Sequence, residues 1–108
     1  VIQAEPASRV GLILVLGRMS ERNQFGDLII SPGEIYEDCA YHPCLCLGVE
    51  DGQVWGISLI DGSQPRSCDL RMCGVRILTL QEAWDIKCHG PADAEAKADY
   101  PPERRWWR

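Results

Sequence analysis

Short apolar runs separated by turn residues fill the central part of the chain. We expect strands at residues 27–31, 44–50, 53–60 and 74–78, with a short strand or a helical turn at 67–70. Asp51-Gly52 lies between two of these runs, and this dipeptide favours a two-residue hairpin turn because both of its residues adopt positive φ angles. The pattern predicts a mainly β protein of about five short antiparallel strands.

One helix is predicted after the last strand. Thr79 and Glu82 form a capping-box pattern, in which each side chain accepts a hydrogen bond from the backbone N–H of the other residue. The helix is expected over residues 80–88, with Leu80 and Trp84 on one face, and Gly90-Pro91 ends it. Short strands followed by one helix predict a small SH3-like β-barrel domain over residues 25–90. A partly open OB-like barrel is the alternative.

The two ends of the chain differ from this domain in composition. We expect residues 1–24 to form an N-terminal extension and residues 91–108, rich in Ala, Pro and charge, to form a mobile C-terminal tail. Met19 is a natural translation start, so residues 1–18 could be upstream sequence. The apolar run at residues 10–16 is too short to span a bilayer and no signal-cleavage pattern follows it. A cytoplasmic protein with reduced cysteines and no membrane contact is therefore expected.

The charge is unevenly distributed. The 108 residues are enough for one domain, and the formal net charge is −5. Residues 25–86 carry ten carboxylates against three arginines. Because nucleic-acid binding normally starts from a basic surface, this acidic body makes nucleic acid an unlikely partner.

The predicted hairpin places two cysteines in the core. Its register pairs Gly48 with Trp55, Cys46 with Ile57 and Cys44 with Leu59. Cys44 and Cys46 then share a core face, where free cysteine behaves as a small apolar residue, and Trp55 can cover the bare Gly48. The opposite hairpin face is also apolar and needs a cover. The run at residues 10–16, the Leu80/Trp84 helix or a second copy of the chain could supply it, so a homo-oligomer is possible.

Three thiols and one imidazole within residues 39–46 allow several chemistries. A structural zinc site could use Cys39, His42, Cys44, Cys68 and Cys73, although the chain lacks the usual C-x2-C knuckle. Disulfides could join Cys39 to Cys68 or to Cys73. A catalytic Cys–His pair is disfavoured because nearby carboxylates oppose thiolate formation. We therefore expect no catalytic residue and no cofactor, with zinc as the alternative.

The loop at residues 33–43 is the segment where binding is expected, because loops on a rigid barrel carry most recognition. The candidate ligand-binding residues in and beyond this loop are Tyr36, Glu37, Asp38, Tyr41, His42, Arg66 and Arg71. The tyrosines offer apolar rings with polar tips, and the arginines offer forks for carboxylates. The favoured function is a non-enzymatic binding or adaptor module for a peptide or small ligand, and a structural zinc protein is the alternative.

Residues 26–84 resemble small uncharacterised bacterial proteins carried on mobile gene cassettes of integrons. The resemblance lies in three segments, Gly-Asp-Leu-Ile-Ile-Ser-Pro-Gly-Glu-Ile-Tyr at 26–36, Cys-x2-His-Pro-Cys-x-Cys at 39–46 and Gly-Ile-Ser-Leu-Ile-Asp-Gly-Ser at 56–63. It implies a small cytoplasmic β-barrel-like protein without an assigned role, and it transfers no catalytic residue.

Overall fold

The computed structural model describes residues 21–107, which form five strands, two α-helices and one 3₁₀ turn. The strands are β1 (Ile35–Glu37), β2 (Pro43–Glu50), β3 (Gln53–Ser58), β4 (Cys68–Asp69) and β5 (Arg76–Leu78), followed by α1 (Leu80–His89), α2 (Ala94–Ala98) and the 3₁₀ turn Pro102–Arg104. The predicted strand at 27–31 is wrong, because Leu28 forms only an isolated bridge with Arg22. The first strand lies instead at β1, inside the segment predicted as a loop.

The strands form one antiparallel sheet in the order β4-β3-β2-β1-β5. Consecutive strands β1 to β4 are neighbours, and β5 returns to pair with β1. Among the described residues, β4 and β5 each have one partner strand, so the sheet is open rather than a closed barrel. The prediction of a mainly β fold with about five antiparallel strands and one helix after them is confirmed at this level.

The hairpin turn forms where the sequence predicts it. Asp51 and Gly52 both have positive φ, 54° and 75°, as a two-residue hairpin turn requires. Gly48 pairs with Trp55, and a Cβ at Gly48 would overlap the Trp55 ring, so the indole does cover this glycine.

Beyond that point the predicted register is wrong by one residue. Leu47 is an extra residue in β2, and this bulge shifts the pairing so that Cys46 lies opposite Gly56 and Cys44 opposite Ser58. The prediction that Cys44 and Cys46 are buried is still confirmed, since these residues are 0% and 1% exposed. The shift brings a different part of β3 onto the core face.

The core contains Val54, Gly56 and Ser58 from β3, whereas Trp55 and Ile57 are only partly buried. Tyr36 of β1 is fully buried in the same cluster as Cys44 and Cys46. The core face predicted from Trp55, Ile57 and Leu59 is therefore wrong on the β3 side.

Helix α1 has the predicted capping box and packs through a different face. Thr79 Oγ1 accepts from the Glu82 N–H at 3.0 Å, and Glu82 Oε1 accepts from the Thr79 N–H at 2.8 Å. The helix buries Ala83 and Ile86. Leu80 and Trp84 are 76% and 58% exposed. Leu80 and Trp84, one of the three covers considered from the sequence, therefore do not cover the sheet. The 3.6-residue helical period aligns these two residues on one face, and it also aligns Ala83 and Ile86 on the face that is buried.

The predicted mobile tail is packed against the domain as far as Trp107. Trp106 Nε1–H donates to the Ile86 carbonyl at 3.0 Å, and its ring meets the edge of the His42 ring at 4.9 Å between centroids. The Tyr100 hydroxyl donates to the Ala40 carbonyl. The polar composition of this segment predicts that ordering it costs too much conformational entropy. The packing of its aromatic rings offsets that cost.

Part of the predicted N-terminal extension, residues 1–20, lies outside the described residues, together with Arg108. Within the described range, no helix is long and apolar enough to cross a membrane.

We expect Trp106→Ala to lower the free energy of unfolding by about 2 kcal/mol, because it removes a partly buried aromatic ring and its hydrogen bond. The matched control is Trp84→Ala, whose exposed ring should cost less than about 0.5 kcal/mol. Urea unfolding of both variants measures this. Equal effects would contradict the docked position of the C-terminal segment.

Candidate thiol centre

Three cysteine sulfurs from different parts of the fold come together at one edge of the sheet. The Sγ atoms of Cys39, Cys68 and Cys73 all lie within 4.8 Å of one another. Cys39 Sγ is 3.4 Å from Cys68 Sγ. Cys39 is exposed, Cys68 is buried and Cys73 is half-buried, so the group is open to solvent on one side.

The Cys39 loop is held in place by a buried carboxylate. Asp38 accepts hydrogen bonds from the N–H groups of Ala40 and His42, both at 2.9 Å, and from Arg66 Nε at 2.8 Å. Tyr41 adopts a positive φ of 67°, which completes the turn back into β2. This loop fixes the backbone on both sides of Cys39, so its sulfur is directed at β4.

The other two sulfurs are positioned by a second Asp-centred turn. Asp69 Oδ1 accepts from the N–H groups of Arg71 and Met72, and the Cys73 N–H donates to the Asp69 carbonyl at 3.3 Å. Asp commonly stabilises turns in this way. The turn folds Cys73 back beside Cys68, which begins β4.

The environment of the thiols favours their protonated form. Burial raises the pKa of Cys39, and contacts with Cys73 and Cys68 raise it further. Burial also raises the pKa of Cys68. A thiol with a raised pKa is a poor nucleophile at neutral pH, so Cys39 and Cys68 are not suited to thiolate catalysis.

Only some of the five candidate zinc ligands lie close together in the structure. Cys39, Cys68 and Cys73 come together, whereas His42 and Cys44 are used elsewhere. His42 Nδ1 is 2.9 Å from Ser58 Oγ, and the Cys44 S–H donates to the His42 carbonyl at 3.3 Å. Burial raises the pKa of Cys44 to about 12. Of the five candidate ligands, the structure thus brings only Cys39, Cys68 and Cys73 within reach of one ion, because His42 and Cys44 have other partners.

The buried imidazole of His42 should make stability depend on pH. Burial lowers its pKa, and Arg66 lowers it further against the opposing effect of Asp38 and Asp61. The unfolded state then binds the proton more readily than the folded state. The contribution of neutral His42 to the free energy of unfolding is therefore fully present above about pH 6.5, and it decreases as pH falls below that value.

Denaturant unfolding from pH 7.5 to pH 5 measures this effect. His42→Asn keeps a polar atom near Ser58 and should flatten the curve, whereas His89→Asn at the exposed end of α1 should leave it unchanged. A decrease of the same size in the His42 variant would contradict the assignment.

Most of the predicted ligand-binding residues have partners within the fold. The Tyr36 hydroxyl donates to the Arg66 carbonyl at 2.6 Å, and Glu37 accepts from Arg76 Nε at 2.8 Å. Asp38 accepts from the His42 N–H and from Arg66 Nε, and the His42 ring contacts Ser58. Four of the five loop residues thus support the fold in addition to any role in recognition.

The remaining predicted residues separate onto different surfaces. Tyr41 is partly exposed, and its hydroxyl donates to Asp99 at 3.2 Å. Tyr41 and Glu37 line a cleft of about 500 Å³. Arg71 pairs with Asp27 at 3.0 Å and lines another cleft of about 570 Å³ on the side of the hairpin turn. Arg66 therefore joins the loop through its ion pair with Asp38, whereas Arg71 lies on a separate surface.

Sequence reasoning missed one feature of these sites and predicted another only in part. Arg76 and Asp93 line the cleft with Glu37 and Tyr41, and Asp93 lies in the segment predicted to be mobile. The grouping of Cys39 with both Cys68 and Cys73 had a partial signal in the Cys-x4-Cys spacing around a turn, which keeps two sulfurs near each other.

Comparisons of the chain with protein-family models, with curated proteins and with solved structures find no match. The resemblance to integron cassette proteins stays a prediction. The thiol centre therefore has to be interpreted from its own geometry and chemistry.

Proposed function

We propose that this protein is a thiol-based metal-binding module, in which Cys39, Cys68 and Cys73 together bind one thiophilic ion. The observation that supports the proposal is the convergence of three sulfurs within 4.8 Å. Zn²⁺, the alternative that the sequence left open, accepts thiolate ligands and would retain one coordination position for water or a small ligand.

Binding at this centre would connect three separate segments of the chain. Cys39 belongs to the loop between β1 and β2, Cys68 to β4 and Cys73 to the turn before β5. β4 has only two residues and lies at the edge of the sheet. An ion held by all three sulfurs would stabilise this edge, since binding to the folded state alone adds to stability.

A zinc titration of the full chain tests the proposal. The protein is reduced with a phosphine, freed of metal and titrated with Zn²⁺ in competition with a chromophoric chelator. We expect one equivalent to bind, and Cys39→Ser and Cys73→Ser to weaken binding at least tenfold. Cys88→Ser is the matched control, because Cys88 lies on α1 outside the group. Absence of stoichiometric binding, or equal weakening in the control, would contradict the proposal.

Small-ligand binding at the loop of residues 33–43 is the second candidate function. The cleft of about 500 Å³ supports it, since Glu37 and Tyr41 of the loop line this cleft together with Arg76 and Asp93. Its two carboxylates and one guanidinium suit a small molecule with an amino group. An NMR screen with small amines should shift the Tyr41 and Asp93 signals together, and shifts spread over the whole chain would contradict this role.

The SH3-like fold and the cellular setting are proposed on related grounds. The order β4-β3-β2-β1-β5, a four-strand meander with β5 beside β1, supports an SH3-like sheet over an OB-like one. A reducing cytoplasm would keep three neighbouring thiols available to an ion. The exposed Leu47, Val49, Leu80 and Trp84 are compatible with the homo-oligomer predicted from the sequence.

A further inference from the structure

Among the described residues, the thiol centre offers three ligands and no fourth. Over residues 21–107, no other His, Cys, Asp or Glu side chain joins the group of Cys39, Cys68 and Cys73. The nearest alternatives in sequence already have other partners. Asp38 accepts from two N–H groups and Arg66, and Asp69 accepts from two N–H groups of its own turn. The part of the chain that the structure describes therefore does not supply a complete tetrahedral site there.

The spacing of the sulfurs also bears on the geometry of the ion. In a tetrahedral zinc site with Zn–S bonds of about 2.3 Å, neighbouring sulfurs lie about 3.8 Å apart. Cys39 Sγ and Cys68 Sγ are 3.4 Å apart, and Cys73 Sγ lies within 4.8 Å of both. An ion with three ligands in a pyramid, whose bond angles are narrower than tetrahedral, fits closer sulfurs and needs no fourth ligand. Trivalent arsenic bound to three thiolates has this geometry.

We propose that the Cys39–Cys68–Cys73 group binds trivalent arsenic, taken up as arsenous acid, in preference to Zn²⁺ at neutral pH. This inference rests on the proposed function, that the three thiols act together on one ion. It goes further because it names an ion with a different coordination number and a different way of entering the site.

The binding step is a condensation without electron transfer. Arsenous acid, As(OH)₃, loses its three hydroxyl groups, and the three thiols lose their S–H protons. Three As–S bonds form, three As–O bonds break, and each hydroxyl leaves with one thiol proton as water. Arsenic stays trivalent and all sulfurs stay in the thiol oxidation state. The exposed side of Cys39 gives the reagent access to the first sulfur.

Arsenite titration of the reduced full chain tests the inference. Native mass spectrometry should show one arsenic atom per chain with three water molecules lost, and the number of reactive thiols should fall by three. Arsenite should also displace Zn²⁺ from the protein at equal concentrations. Cys73→Ser should lose arsenite affinity at least tenfold while retaining phenylarsine oxide, which needs only two thiols. Cys88→Ser should behave as the unaltered chain.

The outcomes separate this inference from the proposed function. Stoichiometric Zn²⁺ binding that arsenite does not displace would overturn the arsenic preference and leave the metal-binding function intact. Loss of binding for both ions would overturn both. Near-UV circular dichroism of the cysteine variants establishes that they are folded, so that lost binding reports the missing sulfur. Arsenite affinity that is the same in Cys73→Ser as in the unaltered chain would overturn the three-thiol assignment.

Discussion

Gly56→Ala is expected to destabilise the protein by about 3 kcal/mol or more, enough to lower the melting temperature by roughly 12 °C. A Cβ at this position would overlap the Leu45 carbonyl oxygen and lie 3.0 Å from the Tyr36 hydroxyl oxygen. Neither neighbour can move freely, because Leu45 lies in the central strand β2 and Tyr36 is fully buried. One backbone segment has to shift, and that disrupts the sheet at its centre.

The same substitution should weaken the thiol centre from a distance. The Tyr36 hydroxyl donates to the Arg66 carbonyl, and Arg66 in turn pairs with Asp38, which holds the Cys39 loop. Displacing Tyr36 therefore disturbs the loop that presents the exposed sulfur.

Gly74→Ala is the matched control for this prediction. A Cβ added at Gly74 would have no heavy atom within 4 Å, and this glycine has no positive φ, so alanine should be neutral or slightly stabilising there. Thermal unfolding followed by circular dichroism measures both variants. Similar melting temperatures for the two would contradict the packing described around β2 and β3.

Zinc affinity is expected to rise at least about 100-fold per pH unit between pH 6 and pH 7.5. The pKa values of Cys39 and Cys68 are raised, so both are protonated over this range, and each must lose a proton before it can ligate Zn²⁺. Release of these two protons alone changes the apparent affinity by two powers of ten for each pH unit. The sign follows because a lower proton concentration favours the metal-bound form.

Competition titrations at four pH values measure this slope. Arsenite affinity serves as the internal control and should change by less than about tenfold over the same range, because its binding retains the thiol protons in water. In Cys39→Ser the residual zinc affinity should have a shallower slope. A flat zinc profile in the unaltered chain would contradict the protonated state of the free thiols.

The local elements of the fold were predictable where short-range chemistry determines them. Asp51-Gly52 has few alternatives to a hairpin turn, and the Thr79/Glu82 capping box satisfies the N–H groups of its own helix start. The bulge at Leu47 was not predictable, because it depends on how β3 packs Gly56 against Tyr36 across the sheet. One extra residue there changed the whole β3 face.

The thiol centre was predictable in type and only partly in membership. The sequence identified Cys39, Cys68 and Cys73 as candidates, but it also included His42 and Cys44 because they are close in sequence. In the fold these two point to Ser58 and to the core, and the closure from Cys39 to β4 is a long-range contact. The docking of the C-terminal segment was likewise not predicted. Its charged composition favours a mobile tail, although Trp106 and Trp107 pack against the domain.

X-ray absorption spectroscopy of the arsenite-loaded protein tests the central claim most directly. The account predicts a first coordination shell of three sulfurs and no oxygen, and a shell of two sulfurs in Cys73→Ser. A shell with one sulfur, or with an unchanged number of sulfurs in that variant, would contradict a shared site of three thiols.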